Sequence, residues 1–218
     1  MLRSAFIAVL SLVCPVLVQA QKIPDVEVFG GVSYLNARGF YEREHFLNAA
    51  TGVTLRVNKH FGLAAEGGLP LAGPSETSSS IFRTRDLGLI VTTTSRKTET
   101  STALFGPRFF LPRGKMTLFA HGLAGVIRTT SEYSVTSSAR GLPPGGGPLS
   151  FPVLPTTFRY SENTFAYGFG GGIDLDLNRR FAIRLMQADY LRARIEPTGN
   201  QLRLQSGVVV RFGNGSSH

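Results

Sequence analysis

A serine–histidine–carboxylate set is the chemistry this sequence comes nearest to offering, and its four histidines decide the matter. His45 falls in a predicted loop, His60 in a predicted turn and His218 at the tail. His121 alone lies inside a segment of regular alternation. There it shares a parity with Phe119 and Leu123, which predicts a lipid-facing or interfacial side chain, a poor setting for a general base. No spacing among the histidines matches a metal site, and no nucleophile elbow occurs. Gly170, Gly171 and Gly172 have neither the lysine nor the following helix that a phosphate loop needs, so they predict close packing or a bend. We therefore expect no catalytic residue, no metal ligand and no cofactor.

Charged groups offer a different chemistry. Glu27, Glu66, Asp174, Asp176 and Asp189 are candidate partners for Arg56, Arg108, Arg184, Arg203 and Arg211. Ionised groups shut inside a protein must be paired, so this set predicts an interior network. A gated polar path is one reading of it; a structural plug of salt bridges is the reading preferred here.

Eight alternating segments would position these groups. The first is Val26 to Tyr34, the second continues from about Asn48, and the third begins at Phe61 after a turn at Asn58, Lys59 and His60. The fourth, Thr100 to Leu111, meets the fifth, Met116 to Arg128, through Pro112, Arg113, Gly114 and Lys115. The sixth carries Phe165 to Leu177, and the turn Asn178, Arg179, Arg180 opens the seventh at Phe181. In the seventh, Gln187 and Asp189 fall on the apolar parity, which predicts a bulge near Met186. The eighth runs from Gln201 to Phe212. Long connections are expected at Leu35–Leu47, Leu71–Glu99, Thr129–Ser161 and Arg192–Asn200, the third of them mobile around its Pro- and Gly-rich centre.

Before these segments, Arg3 and the apolar run from Ala5 to Val18 predict a secretory signal peptide at residues 1–20, cut after Ala20. The run is too short for a spanning helix and contains Pro15. Cys14, the single cysteine, would leave with the signal, which excludes a disulfide scaffold. Residues 21–218 then form one domain. The net charge of +9, or +8 without Arg3, is scattered rather than clustered, so nucleic acid is not an expected partner.

Alternation alone suits soluble and membrane sheets alike. Here charges and amides share one parity with glycines, and aliphatic and aromatic groups take the other. That predicts an all-β, closed antiparallel up-and-down transmembrane β-barrel of about eight strands, with a filled interior and no open pore. Tyr34, Phe61, Phe109, Phe110, Phe181, Tyr190 and Phe212, near strand ends, are expected to form interfacial girdles. Expected partners are outer-membrane lipid and an extracellular partner met by the long loops. A non-enzymatic structural or adhesion-like role at the cell outer membrane follows. The alternatives are a soluble periplasmic, lipocalin-like carrier of an apolar ligand, and a lipid-modifying barrel enzyme.

Three stretches carry a family resemblance: Val26 to Tyr34 (VEVFGGVSY), Leu104 to Phe109 (LFGPRF) and Phe181 to Tyr190 (FAIRLMQADY). With them the chain resembles the small OmpA-like and Ail-like outer-membrane barrels, particularly those of acidobacterial type. The resemblance implies the barrel fold and insertion by the barrel-assembly machinery, and says little about activity. Such barrels often end on an aromatic residue read by that machinery, whereas here Phe212 is followed by Gly213 to His218.

Overall fold

The computed structural model describes residues 25–38, 43–84, 88–141, 149–152, 156–194 and 199–213. The expected signal segment, and residues 142–148 at the centre of the third expected loop, lie outside the described residues.

All described elements are strands: β1 (Asp25–Arg38), β2 (Arg43–Arg56), β3 (Phe61–Ala72), β4 (Ser75–Thr84), β5 (Gly88–Arg113), β6 (Met116–Gly141), β7 (Leu149–Pro152), β8 (Thr156–Asp176), β9 (Phe181–Ala193) and β10 (Gly199–Phe212). Every pairing is antiparallel. The order β5-β3-β2-β1-β10-β9-β8-β6 closes on itself through β5–β6, giving a ring of eight. β4 and β7 are extra strands beyond the ring, paired to the far ends of β5 and β6.

These extra strands correct the expectation of long irregular loops. Leu71–Glu99 holds a hairpin in which Ser75–Thr84 pairs with Gly88–Lys97. Much of Thr129–Ser161 continues the β6–β8 ladder as far as Val135 opposite Thr156. Leu35–Leu47 is likewise mostly the extended ends of β1 and β2. The signal was hidden because Thr92–Thr102 is hydroxyl-rich on both faces, leaving no apolar parity to read. β-branched threonine nonetheless suits a strand, and the inward-facing Thr98, Thr100 and Thr102 are buried without being apolar. β5 and β6, at 26 residues each, therefore rise far beyond the ring.

Two of the tight turns are built alike. Asn58 Oδ1 accepts from the backbone N–H groups of His60 (2.8 Å) and Phe61 (2.9 Å), and Asn178 Oδ1 accepts from Arg180 and Phe181, both at 2.8 Å. These side chains satisfy turn donors that the ladder leaves free. Asn178→Ala is expected to cost about 1 kcal/mol in chemical unfolding. The third turn has Gly114 at φ 59°, left-handed backbone that only glycine adopts without strain. Gly114→Ala is expected to cost about 1 kcal/mol in the same measurement.

The predicted bulge is present in β9. Ile173 lies opposite Met186 while Asp174 lies opposite Arg184, and Leu185 and Met186 are both exposed in succession. Beyond it, Gln187 and Asp189 turn inward. Outside the ring stand Val28, Val53, Leu63, Phe105, Phe169 and Leu202, all exposed. Tyr34, Phe61, Phe109, Phe181, Tyr190 and Phe212 join them, but Phe110 is fully buried inside, against the girdle expectation. Its ring lies beneath the Arg56 guanidinium, 4.0 Å from centroid to carbon, which explains an aromatic on the polar face.

Candidate functional site: a charge row inside the ring

One row of register partners crosses five strands. Arg108 on β5 lies opposite His121 on β6, His121 opposite Gly170 on β8, Gly170 opposite Asp189 on β9, and Asp189 opposite Arg203 on β10. All face inward, and the four side chains are buried. Gly170 has no side chain, so His121 reaches over it to Asp189, Nε2 to Oδ1 at 2.7 Å. Asp189 Oδ2 accepts from Arg203 Nε at 2.8 Å and from Gln187 at 2.9 Å.

Glu66, reaching in from β3, ties the row together. One carboxylate oxygen takes Arg108 and the other takes Arg203, while Gln187 donates to both at 3.1 Å. Arg108 also donates to Thr54 at 3.1 Å. On the next level, Arg184 grips Asp174 with two bonds of 2.9 and 3.2 Å and donates to Gln187 at 2.8 Å. A guanidinium can only donate, so His121 Nδ1 accepts from Arg108 at 3.3 Å and Nε2 carries the proton. With that tautomer the imidazole is neutral, and three carboxylates face three guanidiniums. Phe119 supports both Arg108 and Arg184, at 4.6 and 4.5 Å from its centroid, and Phe29 lies 4.5 Å from Arg184.

A second cluster sits at the turn end of the ring. Arg211 bonds Glu27 at 2.7 Å and Asp176 at 2.6 Å, and Arg56 approaches Glu27 to 2.9 Å as an ion contact. Thr117 donates to Asp176 at 3.2 Å. The ten candidate residues thus lie in two groups, each with as many carboxylates as guanidiniums. At the projecting end, Leu35, Phe46, Leu104, Leu123, Ile127 and Leu191 pack as an apolar stopper above the row.

His121 is the residue the sequence reading misplaced; it points inward, not to the apolar outer face. Phe119 and Leu123 share its parity because the interior itself holds apolar layers, so their character misleads. The usable signal was hairpin register: counting back from Arg113 opposite Met116 sets Arg108 opposite His121. Gln187 was read only through the bulge, and its bridging role joins β9 to Glu66 on β3, which no local pattern connects.

The His121–Asp189 pair resembles part of a hydrolytic set in composition but not in circumstance. Both ring nitrogens are engaged and the side chain is fully buried, so no substrate oxygen has a path to it. Among the described residues, no three metal-ligating side chains converge. The interior is also the reverse of what an apolar-ligand carrier needs, because its middle is charged and filled.

No protein-family model matches the sequence, and no curated protein matches it. Several solved structures align with most of its length. Ail, the attachment invasion locus protein of Yersinia pestis, aligns at 14% identity over 87% of this chain and 99% of its own, with a TM-score of 0.48. The outer membrane protein OprG from Pseudomonas aeruginosa aligns at 8% identity over 88% and 98%, TM-score 0.47. Neisserial surface protein A aligns at 12% identity over 86% and 97%, TM-score 0.42. By its own strand pairing, this chain is an all-β, closed antiparallel up-and-down barrel with an eight-membered ring.

Proposed function

We propose that the chain is a non-enzymatic barrel of the outer membrane, crossing the bilayer with its ring and presenting the projecting sheet at the cell surface for adhesion-like contact. The inverted polarity of the ring carries this reading: apolar side chains face out and paired charges face in. Closure supports it, because an open strand edge in hydrocarbon would leave backbone groups unsatisfied at several kcal/mol each. Short turns then face the periplasm and the tall strands face outward. Export by residues 1–20 and insertion by the barrel-assembly machinery belong to the same reading, and the two charge clusters serve as a structural plug.

The contact surface is on the inward-looking side of the projecting sheet. Tyr133 stacks on Phe158 with ring centroids 5.3 Å apart, Arg96 stands 5.9 Å over Tyr133, and Phe158 and Tyr160 are exposed. Exposed aromatics beside arginine are the composition of interaction hot spots. The expected result is protein that stays with outer membranes through an alkaline wash and migrates differently on a gel before and after boiling. Replacing Tyr133, Phe158 and Tyr160 together by serine should keep that shift while lowering attachment of expressing cells to host-cell layers several-fold. Protein in the soluble periplasmic fraction without a shift would overturn the barrel reading; unchanged attachment would overturn the contact surface. In planar bilayers the stopper and filled interior predict no conductance steps.

A further inference from the structure

The outward wall of the barrel carries two adjoining recesses that the charge row does not use. The one nearer the projecting end, about 400 Å³, is lined by Pro70, Glu99, Ser101, Arg128, Thr130, Arg159 and Ser161. The other is a shallow dent lined by Val53, Ala65, Gly67, Ala103 and Phe105. They meet on β5, where Ala103 and Ser101 are successive outward positions, about 7 Å apart. Register makes the boundary sharp. Ala103 lies opposite Val126 and Val126 opposite Phe165; one outward level higher, Ser101 lies opposite Arg128 and Arg128 opposite Asn163.

The charge in the polar recess is available for binding. Glu99 is engaged by Lys97 at 2.9 Å, and that bond holds its carboxyl below the ordinary glutamate range. Arg128 and Arg159 join no ion pair among the described residues. Glu132, between Lys97 and Arg159 in register, also faces outward, so these five groups carry one net positive charge. Two unpaired guanidiniums and three hydroxyls over an apolar dent fit an amphiphile with a phosphate above acyl chains. A soluble anion would use only the upper half, and an uncharged lipid only the lower.

We propose that this wall binds a phosphate-bearing lipid of the outer leaflet, with its phosphate on Arg128 and Arg159 and an acyl chain in the dent beside Phe105. The site rests on the membrane-spanning reading above. It is tested by native mass spectrometry of the full chain released from neutral detergent, after titration with dioleoyl phosphatidylglycerol, dioleoylglycerol or inorganic phosphate. Phosphatidylglycerol should be retained, and the other two should bind at least tenfold more weakly. Replacing both arginines, R128Q with R159Q, should weaken phosphatidylglycerol about 30-fold, from roughly fivefold per surface cation. Ala65→Phe should weaken it by filling the dent, and R192Q, on a different part of the outward wall, should leave it unchanged. Equal retention of phosphatidylglycerol and dioleoylglycerol would overturn the phosphate site, and equal retention of inorganic phosphate would overturn the lipid. Wild-type affinity in the double variant, or an equal loss in R192Q, would overturn the assignment to Arg128 and Arg159. The wild-type comparison stands even where a variant folds poorly. A normal heat shift in the same samples separates failure of the site from failure of the barrel reading.

Discussion

Glu66→Leu is expected to lower the unfolding free energy by about 3–5 kcal/mol, because it leaves Arg108 and Arg203 buried with too few carboxylates around them. The two arginines share one glutamate, and Gln187 donates to both of its oxygens. Removing it therefore unties four strands at once. The chain has no tryptophan, so the readout is the fraction of folded band on an unboiled gel across a urea series in lipid vesicles. A loss under 1 kcal/mol would mean that water or a counter-ion replaces Glu66 and that the network is loosely held. A paired control sharpens the result. Asp174→Leu combined with Arg184→Met removes a whole bidentate pair and should cost less than either change alone, since neither leaves its partner charge stranded.

Strand parity was legible in the sequence where one face touches a core and the other does not. In β3 and β10 the expected inward charges Glu66, Arg203 and Arg211 and the expected outward aromatics Phe61 and Phe212 take their predicted faces, and the misfit of Gln187 and Asp189 located the β9 bulge. The projecting strands were illegible because their inward face is polar too. Thr98, Thr100 and Thr102 are buried, yet Thr92 to Thr102 carries hydroxyls on both faces, so hydrophobic periodicity had nothing to report and only threonine's strand preference remained. In the interior, charge was legible and geometry was not. Equal numbers of acids and arginines on the inward parity imply pairing. Which acid meets which arginine depends on stagger around the closed ring: Glu66 meets Arg203 across 137 positions of sequence. His121 shows the cost of reading one strand at a time. Hairpin register assigns it to the interior, whereas its apolar neighbours point the wrong way.

The same register makes Gly170 the backbone position on which the row depends. A methyl group there would lie 2.1 Å from Asp189 Oδ1 and 2.5 Å from the Ala188 carbonyl oxygen, in the space His121 crosses to reach Asp189. Backbone on one side and a carboxylate fixed by Arg203 on the other leave little freedom to shift. Gly170→Ala is therefore expected to cost about 1–3 kcal/mol from overpacking, and Gly170→Val more, because displacing Asp189 also breaks its hydrogen bonds. Gly122 is the matched control: it faces outward and a methyl group there meets nothing within 4 Å, so Gly122→Ala should be close to neutral. Folded-band urea titrations of the three variants decide the point. A Gly170→Ala protein as stable as Gly122→Ala would show that His121 and Asp189 can part without loss, and the row would then be a set of separate pairs. A selective loss at Gly170 would mean that its missing side chain lets the five strands share one network.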